Sequence, residues 1–426
     1  MTPVSRPDRQ SQIARYGLAV LMAGSALLYV VGGLAYVRIG SGSTLFTNDG
    51  FQYYTYLPSL VLDRDLDFSD EYAIAVRRQW LDAEPEFIAV SPETGRPGNA
   101  WAMGPALLWL PFFLVGLGLE RLAGAAPSHG YSMWCQWPVY LGSLAYGLLA
   151  LRILYRTVLR EYGPLTRFVV IALLLVATNL NYYFVFAGHM SHSLSFFAVA
   201  LHLYCLRRIV SHPTGLRWYL LGGLSLGLVA LVRWQDAVLG LLTLAVAVQS
   251  VTRLPRSPRA WMGLATGLVG LLPAAAAQAL CWKAIYGHPF LVPQGDGWMT
   301  WGHPYVLEVL LNDPVGFYFN SPILIPATVG LVILFGRERW WAAGSLLALL
   351  AAVYVSAAST QWEAGESFGM RRLISTLPLL AIGFCECLRF LRSHGWSRRF
   401  WTVAAAATVW NWTLLTTYFI QRVVNP

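Results

Sequence analysis

Asp49 stands in Thr47-Asn48-Asp49-Gly50, just past an apolar run at 16–38. It opens a segment crowded with tyrosine and acid: Tyr53, Tyr54 and Tyr56, then Asp63, Asp65, Asp67, Asp70 and Glu71. A carboxylate beside aromatic rings at the edge of a bilayer is partly desolvated. That makes it a stronger base, suited to take a proton from a substrate arriving from water or lipid. Among the later acids, Asp63, Asp65 and Asp67 are candidate oxygen ligands for a divalent cation. They lack the glycine and spacing of a calcium-binding loop. A solvated turn followed by an amphipathic surface helix from Asp70 to Asp82 is the reading that needs no metal, and the spacing favours it.

The basic and imidazole groups lie elsewhere in the chain. His189 and His192, in Gly188-His189-Met190-Ser191-His192-Ser193, are spaced to share one helical face. Two histidines fall short of a zinc ligand set. They read either as hydrogen-bond donors to a phosphate or sugar, or as interface groups satisfied by neighbours. Arg233 and Asp236 interrupt an apolar stretch; they pair with each other or mark a site, since charge at membrane depth is costly. Lys283, the single lysine, either meets substrate or snorkels to the interface. Arg371 and Arg372 follow Glu363 and Glu366. A pair of guanidinium forks suits a lipid phosphate, and pairing with the two glutamates or with anionic headgroups is the other reading. No glycine-rich phosphate loop follows a strand, which argues against a nucleotide-sugar donor.

These residues need a scaffold, and composition defines it. The 426 residues are 56% hydrophobic and 12% charged, about half the charge of an average soluble domain. This identifies an all-α polytopic membrane protein. The net charge of +9 sits in short clusters between apolar runs rather than on a nucleic-acid-binding face. The 18 Trp and 21 Tyr suit membrane interfaces. The five cysteines lie mostly inside apolar runs and suggest neither a disulfide framework nor a metal site. The run after residues 1–15 has no small-residue cleavage site and reads as a retained helix.

Apolar runs of spanning length fall at 16–38, 134–156, 168–187, 192–210, 217–233, 236–252, 260–282, 320–336, 340–358, 372–389 and 400–420. This predicts about eleven transmembrane helices. A further run at 102–120 is treated as half-buried or re-entrant, with Gly104-Pro105 and Pro111 as breaks. The arginine clusters at 6–15, 152–167, 207–217, 253–259, 337–339 and 389–399 then all face the cytoplasm, 19 of the 30 Lys+Arg. The expected organisation is one membrane domain, 1–426. It has a cytoplasmic tail at 1–15, a long outer loop at 39–133 with juxtamembrane helices, a second outer loop at 283–319, and a short one at 359–371. Function is expected on the outer face, where the unusual polar residues gather.

An acid opening the first outer loop, a proline-containing amphipathic helix after it (Gly104 to Phe113), many spans and late outer-loop arginines resemble the GT-C class of integral-membrane glycosyltransferases. Closest in look are bacterial relatives of the protein O-mannosyltransferases and the lipid A aminoarabinose transferase. The similar segments are Asp49 to Tyr72, Asn99 to Gly116, Gly188 to Phe197, Arg233 to Gly240, and Phe368 to Pro378. Many members carry Asp-Glu at the first acid, whereas this chain has Asp49-Gly50. The resemblance implies a polyprenyl-phosphate sugar donor and an acceptor hydroxyl on a glycan, lipid or protein. It further implies reaction at the periplasmic face of a bacterial inner membrane, with inversion at the anomeric carbon. Asp49 would be the general base; Arg371, Arg372, Lys283 and Arg233 would steady the leaving phosphate, with His189, His192, Tyr53 and Tyr54 beside them. Two alternatives remain: a flippase or transporter of a lipid-linked glycan, and a non-enzymatic component of an envelope-polymer assembly. The first requires polar residues deep in several spans, and Asn179, Asn181 and Asn411 are the main ones present.

Overall fold

The computed structural model describes residues 9–39, 44–81, 88–254, 257–295, 297–365 and 367–424. Residues 1–8 of the expected tail, Arg6 and Arg256 of the arginine clusters, Asp82, and Glu366 lie outside the described residues. The described chain is helical, with two isolated β-bridges and no strand. The elements are α1 (Arg9–Ile39), α2 (Asn48–Pro58), α3 (Ser69–Arg77), α4 (Gly104–Leu122), α5 (Met133–Ile153), α6 (Pro164–Val176), α7 (Leu180–Val185), α8 (His192–Ser211) and α9 (Leu216–Val232). They continue with α10 (Gly240–Arg253), α11 (Pro258–Tyr286), α12 (Val306–Leu311), α13 (Phe317–Asn320), α14 (Leu324–Ile333), α15 (Arg339–Ala357), α16 (Leu377–Ser393) and α17 (Ser397–Val424). Tight 3-10 stretches at Trp234–Leu239 and Arg371–Thr376 lead into α10 and α16.

Among the described residues, eight helical stretches are long and apolar enough to cross a membrane, and three shorter apolar helices accompany them. The chain is a polytopic membrane protein. Seven of the eight coincide with expected spans, and the three shorter ones fall at three more. The eighth is α4, which departs from expectation. Gly104 and Pro105 begin it rather than break it, and Pro111 sits inside an unbroken helix. The expected span at 400–420 falls in α17, which is not one of the eight. Its threonines lower its hydropathy, but Thr408, Thr413, Thr416 and Thr417 donate to carbonyls one turn back, which satisfies them without water. Asn411 ties it inward, donating to the Asn320 carbonyl and accepting from Asn181 at 2.8 Å.

Contacts fix the helix directions. Along α4 and α5, Leu108 meets Tyr146, Trp109 meets Ser143, and Gly116 meets Cys135, so the two run antiparallel. Tyr29 of α1 donates to the Tyr140 carbonyl and Gly33 packs on Tyr140 and Trp137, so α1 is antiparallel to α5 as well. Consecutive spans alternate; α4 instead runs the same way as α1.

Small residues bring helices to backbone contact, the expected device where lipid removes the hydrophobic drive between spans. A Cβ on Gly223 of α9 would lie 2.0 Å from the Gly267 carbonyl oxygen of α11. One on Gly330 of α14 would lie 1.7 Å from the Gly383 oxygen of α16. The first outer segment is held by aromatic packing of Phe51, Tyr54, Trp80 and Tyr131. It is also held by Asn99, which donates to the Gln52 carbonyl at 2.9 Å. The 287–305 segment is stitched to the end of α15: Thr300 N–H donates to the Ala358 carbonyl, and Thr360 N–H to that of Trp298. Gly330→Leu is expected to cost at least about 1–3 kcal/mol by overpacking and to lower the thermal unfolding midpoint in detergent. Gly118→Ala, at a position with nothing within 4 Å, should leave the midpoint in place.

Candidate active site

Several separated stretches line one cavity of about 430 Å³, among them the start of α2, the turn into α8, the α9–α10 link, and the 361–372 segment. Asp49 and Tyr53 lie one turn apart on α2 and both face it. The first turn of α2 carries the Asp49 carboxylate, where the helix dipole favours an anion. Arg371 Nη1 donates to Asp49 Oδ2 at 2.7 Å, joining positions 322 residues apart. Burial pushes the Tyr53 phenol up, with the Arg233 charge opposing and Asp49 adding, so it stays a neutral donor.

His192 opens α8 and accepts from Arg233 Nη1 through Nδ1 at 2.8 Å. Because guanidinium only donates, that nitrogen is unprotonated, and the proton of the neutral ring is on Nε2. Tyr183 packs edge-on to the ring at 4.4 Å. Arg372 lines the cavity and no ion pair or hydrogen bond joins it to another described residue. The cavity therefore presents one carboxylate, three guanidinium groups and two imidazoles. Such a set can accept a proton on one side and hold a multiply charged anion on the other.

Of the sequence candidates, Asp49, Tyr53, His189, His192, Arg233, Arg371 and Arg372 come together here. The others do not. Tyr54 follows Tyr53 on α2 and therefore turns away; it is buried and donates to the Gly130 carbonyl. Lys283 is exposed in the last turn of α11, away from the cavity lining. His189 and His192 share no helix, because α8 starts at His192; the turn before it still brings both to the cavity. Arg233 Nε lies 3.9 Å from Asp236, and Arg371 pairs with Asp49.

The acids after α2 serve local turns. Asp65 accepts from Ser59 and from the Asp67 N–H, while Asp67 accepts from the Ser69 hydroxyl and N–H. Among the described residues, no group of three or more His, Cys, Asp or Glu side chains is arranged to hold a metal ion. Asp63 instead borders a separate depression of about 540 Å³ with Asp70, Glu71 and His129.

Sequence reading missed several contributors. Trp234, Gln235, Gln294, Trp298 and Gln361 line the cavity. The polar residues Gln235, Gln294 and Gln361 carried no motif, only proximity to turns. The absence of a second acid at 50 has a steric reason. A Cβ there would lie 2.8 Å from the His189 carbonyl oxygen and 2.7 Å from its ring.

Residues 133–276 match the family model of the dolichyl-phosphate-mannose-protein mannosyltransferases. That is a GT-C type glycosyltransferase family. The match spans about a third of the chain. It includes His189, His192 and Arg233, and leaves out Asp49, Arg371 and Arg372. No curated protein matches the chain.

The depression beside α3 yields a pH effect. Glu71 is buried, and its pKa is raised to about 8 by burial, with the charges of Asp63 and Asp65 adding. The folded chain thus holds a proton that the unfolded chain releases near the model value of 4.5. Stability from this group is full below that value and falls as pH rises towards about 8. Amide exchange in α3 should accelerate between pH 5 and 9 beyond the intrinsic base catalysis, and Glu71→Gln should flatten that excess. An equally steep excess in the variant would refute the assignment.

Proposed function

We propose that this chain transfers a sugar from a polyprenyl-phosphate-linked donor to an acceptor hydroxyl, with inversion, at the periplasmic face of a bacterial inner membrane. The family match supports a glycosyltransferase dependent on such a donor in general. The observation that carries the finer reading is the Asp49–Arg371 pair, set in one cavity with Arg372, Arg233 and His192.

In this reading the donor phosphate meets Arg372 first, since its guanidinium is unengaged among the described residues. The phosphate then competes with Asp49 for Arg371, and the displaced carboxylate turns to the acceptor. The acceptor oxygen forms a bond to the anomeric carbon while its proton passes to Asp49. The bond from that carbon to the phosphate oxygen breaks on the opposite face, and the phosphate leaves with the electron pair, held by the guanidinium groups. Tyr53, kept neutral, is placed to donate a hydrogen bond to the sugar or phosphate. These steps are assigned to side chains, and Asp63, Asp65 and Asp67 have no part in them.

Two features support the orientation. The arginine clusters segregate to one end of the spans when 102–120 leaves the alternation unchanged. The direction of α4, the same as that of α1, supports a segment that enters from the outer side and returns.

Asp49→Asn is expected to lower sugar transfer in proteoliposomes at least about 100-fold with an unchanged unfolding midpoint. Full activity in that variant would end the assignment of the base. Arg372→Ala should raise the KM for the lipid donor about tenfold, as for one charge-assisted hydrogen bond, and leave the acceptor KM alone.

A further inference from the structure

Asp236 is 2% exposed and does not line the cavity, yet its carboxylate touches each segment that brings a cation or imidazole there. Oδ2 accepts from the Ser195 hydroxyl at 2.7 Å, on α8, three residues after His192. Oδ1 accepts from the Ser375 hydroxyl at 2.8 Å, in the 3-10 stretch, three residues after Arg372. Arg233 Nε lies 3.9 Å from Oδ2, three residues before Asp236 itself. A single buried anion therefore bonds the three segments together directly beneath the groups they present. A buried carboxylate is tolerable only when its lone pairs are satisfied and its charge is countered, and here each requirement is met by a different segment.

We propose that Asp236 is the positioning residue of this site, setting the mutual spacing of His192, Arg233 and Arg372. This rests on the reading of the cavity as the seat of a lipid phosphate. Serine hydroxyls make short, directional bonds, so they transmit a displacement of one segment to the next. The geometry needed in the transition state is narrower than that needed to bind a phosphate. Losing the carboxylate leaves every cavity guanidinium present and charged but shifted out of alignment. The cost then falls on turnover more than on donor binding.

The test uses the full chain in detergent or proteoliposomes, with undecaprenyl phosphate as the binding probe and sugar transfer as the rate. Asp236→Asn is expected to lower kcat about tenfold or more, with the probe still bound at one site per chain. Ser195→Ala and Ser375→Ala should fall in the same direction by less, and Ser375→Ala added to Asp236→Asn should cost nothing further. A wild-type rate in Asp236→Asn overturns the inference, as does a rate that falls only in step with lost binding sites. If Asp236→Asn does not fold, the two serine variants decide: wild-type kcat in both refutes the role. A wild-type chain that neither binds the probe nor transfers sugar overturns the reading of the cavity, and this inference with it.

Discussion

An aspartate early in the sequence and an arginine more than 300 positions later share one hydrogen-bonded ion pair, and both line the cavity. Asp49 and Arg371 are separated by 322 positions and by the helices from α3 to α15. Neither side chain is fully buried, so the pair is accessible to a ligand as well as mutually neutralising. Each intervening helix must stack correctly for the two to come within 2.7 Å. The tolerance of that distance is set by packing far from the cavity.

Glycine supplies the packing. Where α9 meets α11 and α14 meets α16, a methyl group would overlap a backbone oxygen of the partner helix. In lipid, close backbone approach replaces the exclusion of water as the source of helix association. The arginine clusters at the other end of α16 are fastened separately. Buried Glu386 takes Arg337, Arg389 and the Tyr162 hydroxyl at once, linking α16 to the α5–α6 and α14–α15 turns. The site and this network lie at opposite ends of α16, so the helix between them is held at both ends.

The sequence showed the membrane class, most spans and seven of the cavity residues, because apolar runs of spanning length and charge in an apolar chain are conspicuous. What it hid depended on direction. Tyr53 and Tyr54 are adjacent and alike, and only the rotation of α2 sends one to the cavity and the other to the core. His189 and His192 have helical spacing, but the helix begins at the second of them. Lys283 is exposed on α11 and outside the cavity lining. Asp236 read either as a partner for Arg233 or as part of a site, and its bonds to Ser195 and Ser375 were hidden because they lie 41 and 139 positions away in sequence.

The contact between Gly50 and the backbone of His189 bears on how variants at this position can be interpreted. The chain has used the room of a second acid to bring the 187–192 turn against α2. Restoring an Asp-Glu pair by a single substitution would not add a carboxylate to an otherwise unchanged cavity. It would first wedge two walls apart, so any altered rate would report the opening of that seam rather than the worth of a second acid. Borrowing the pair from a relative would require exchanging both walls together.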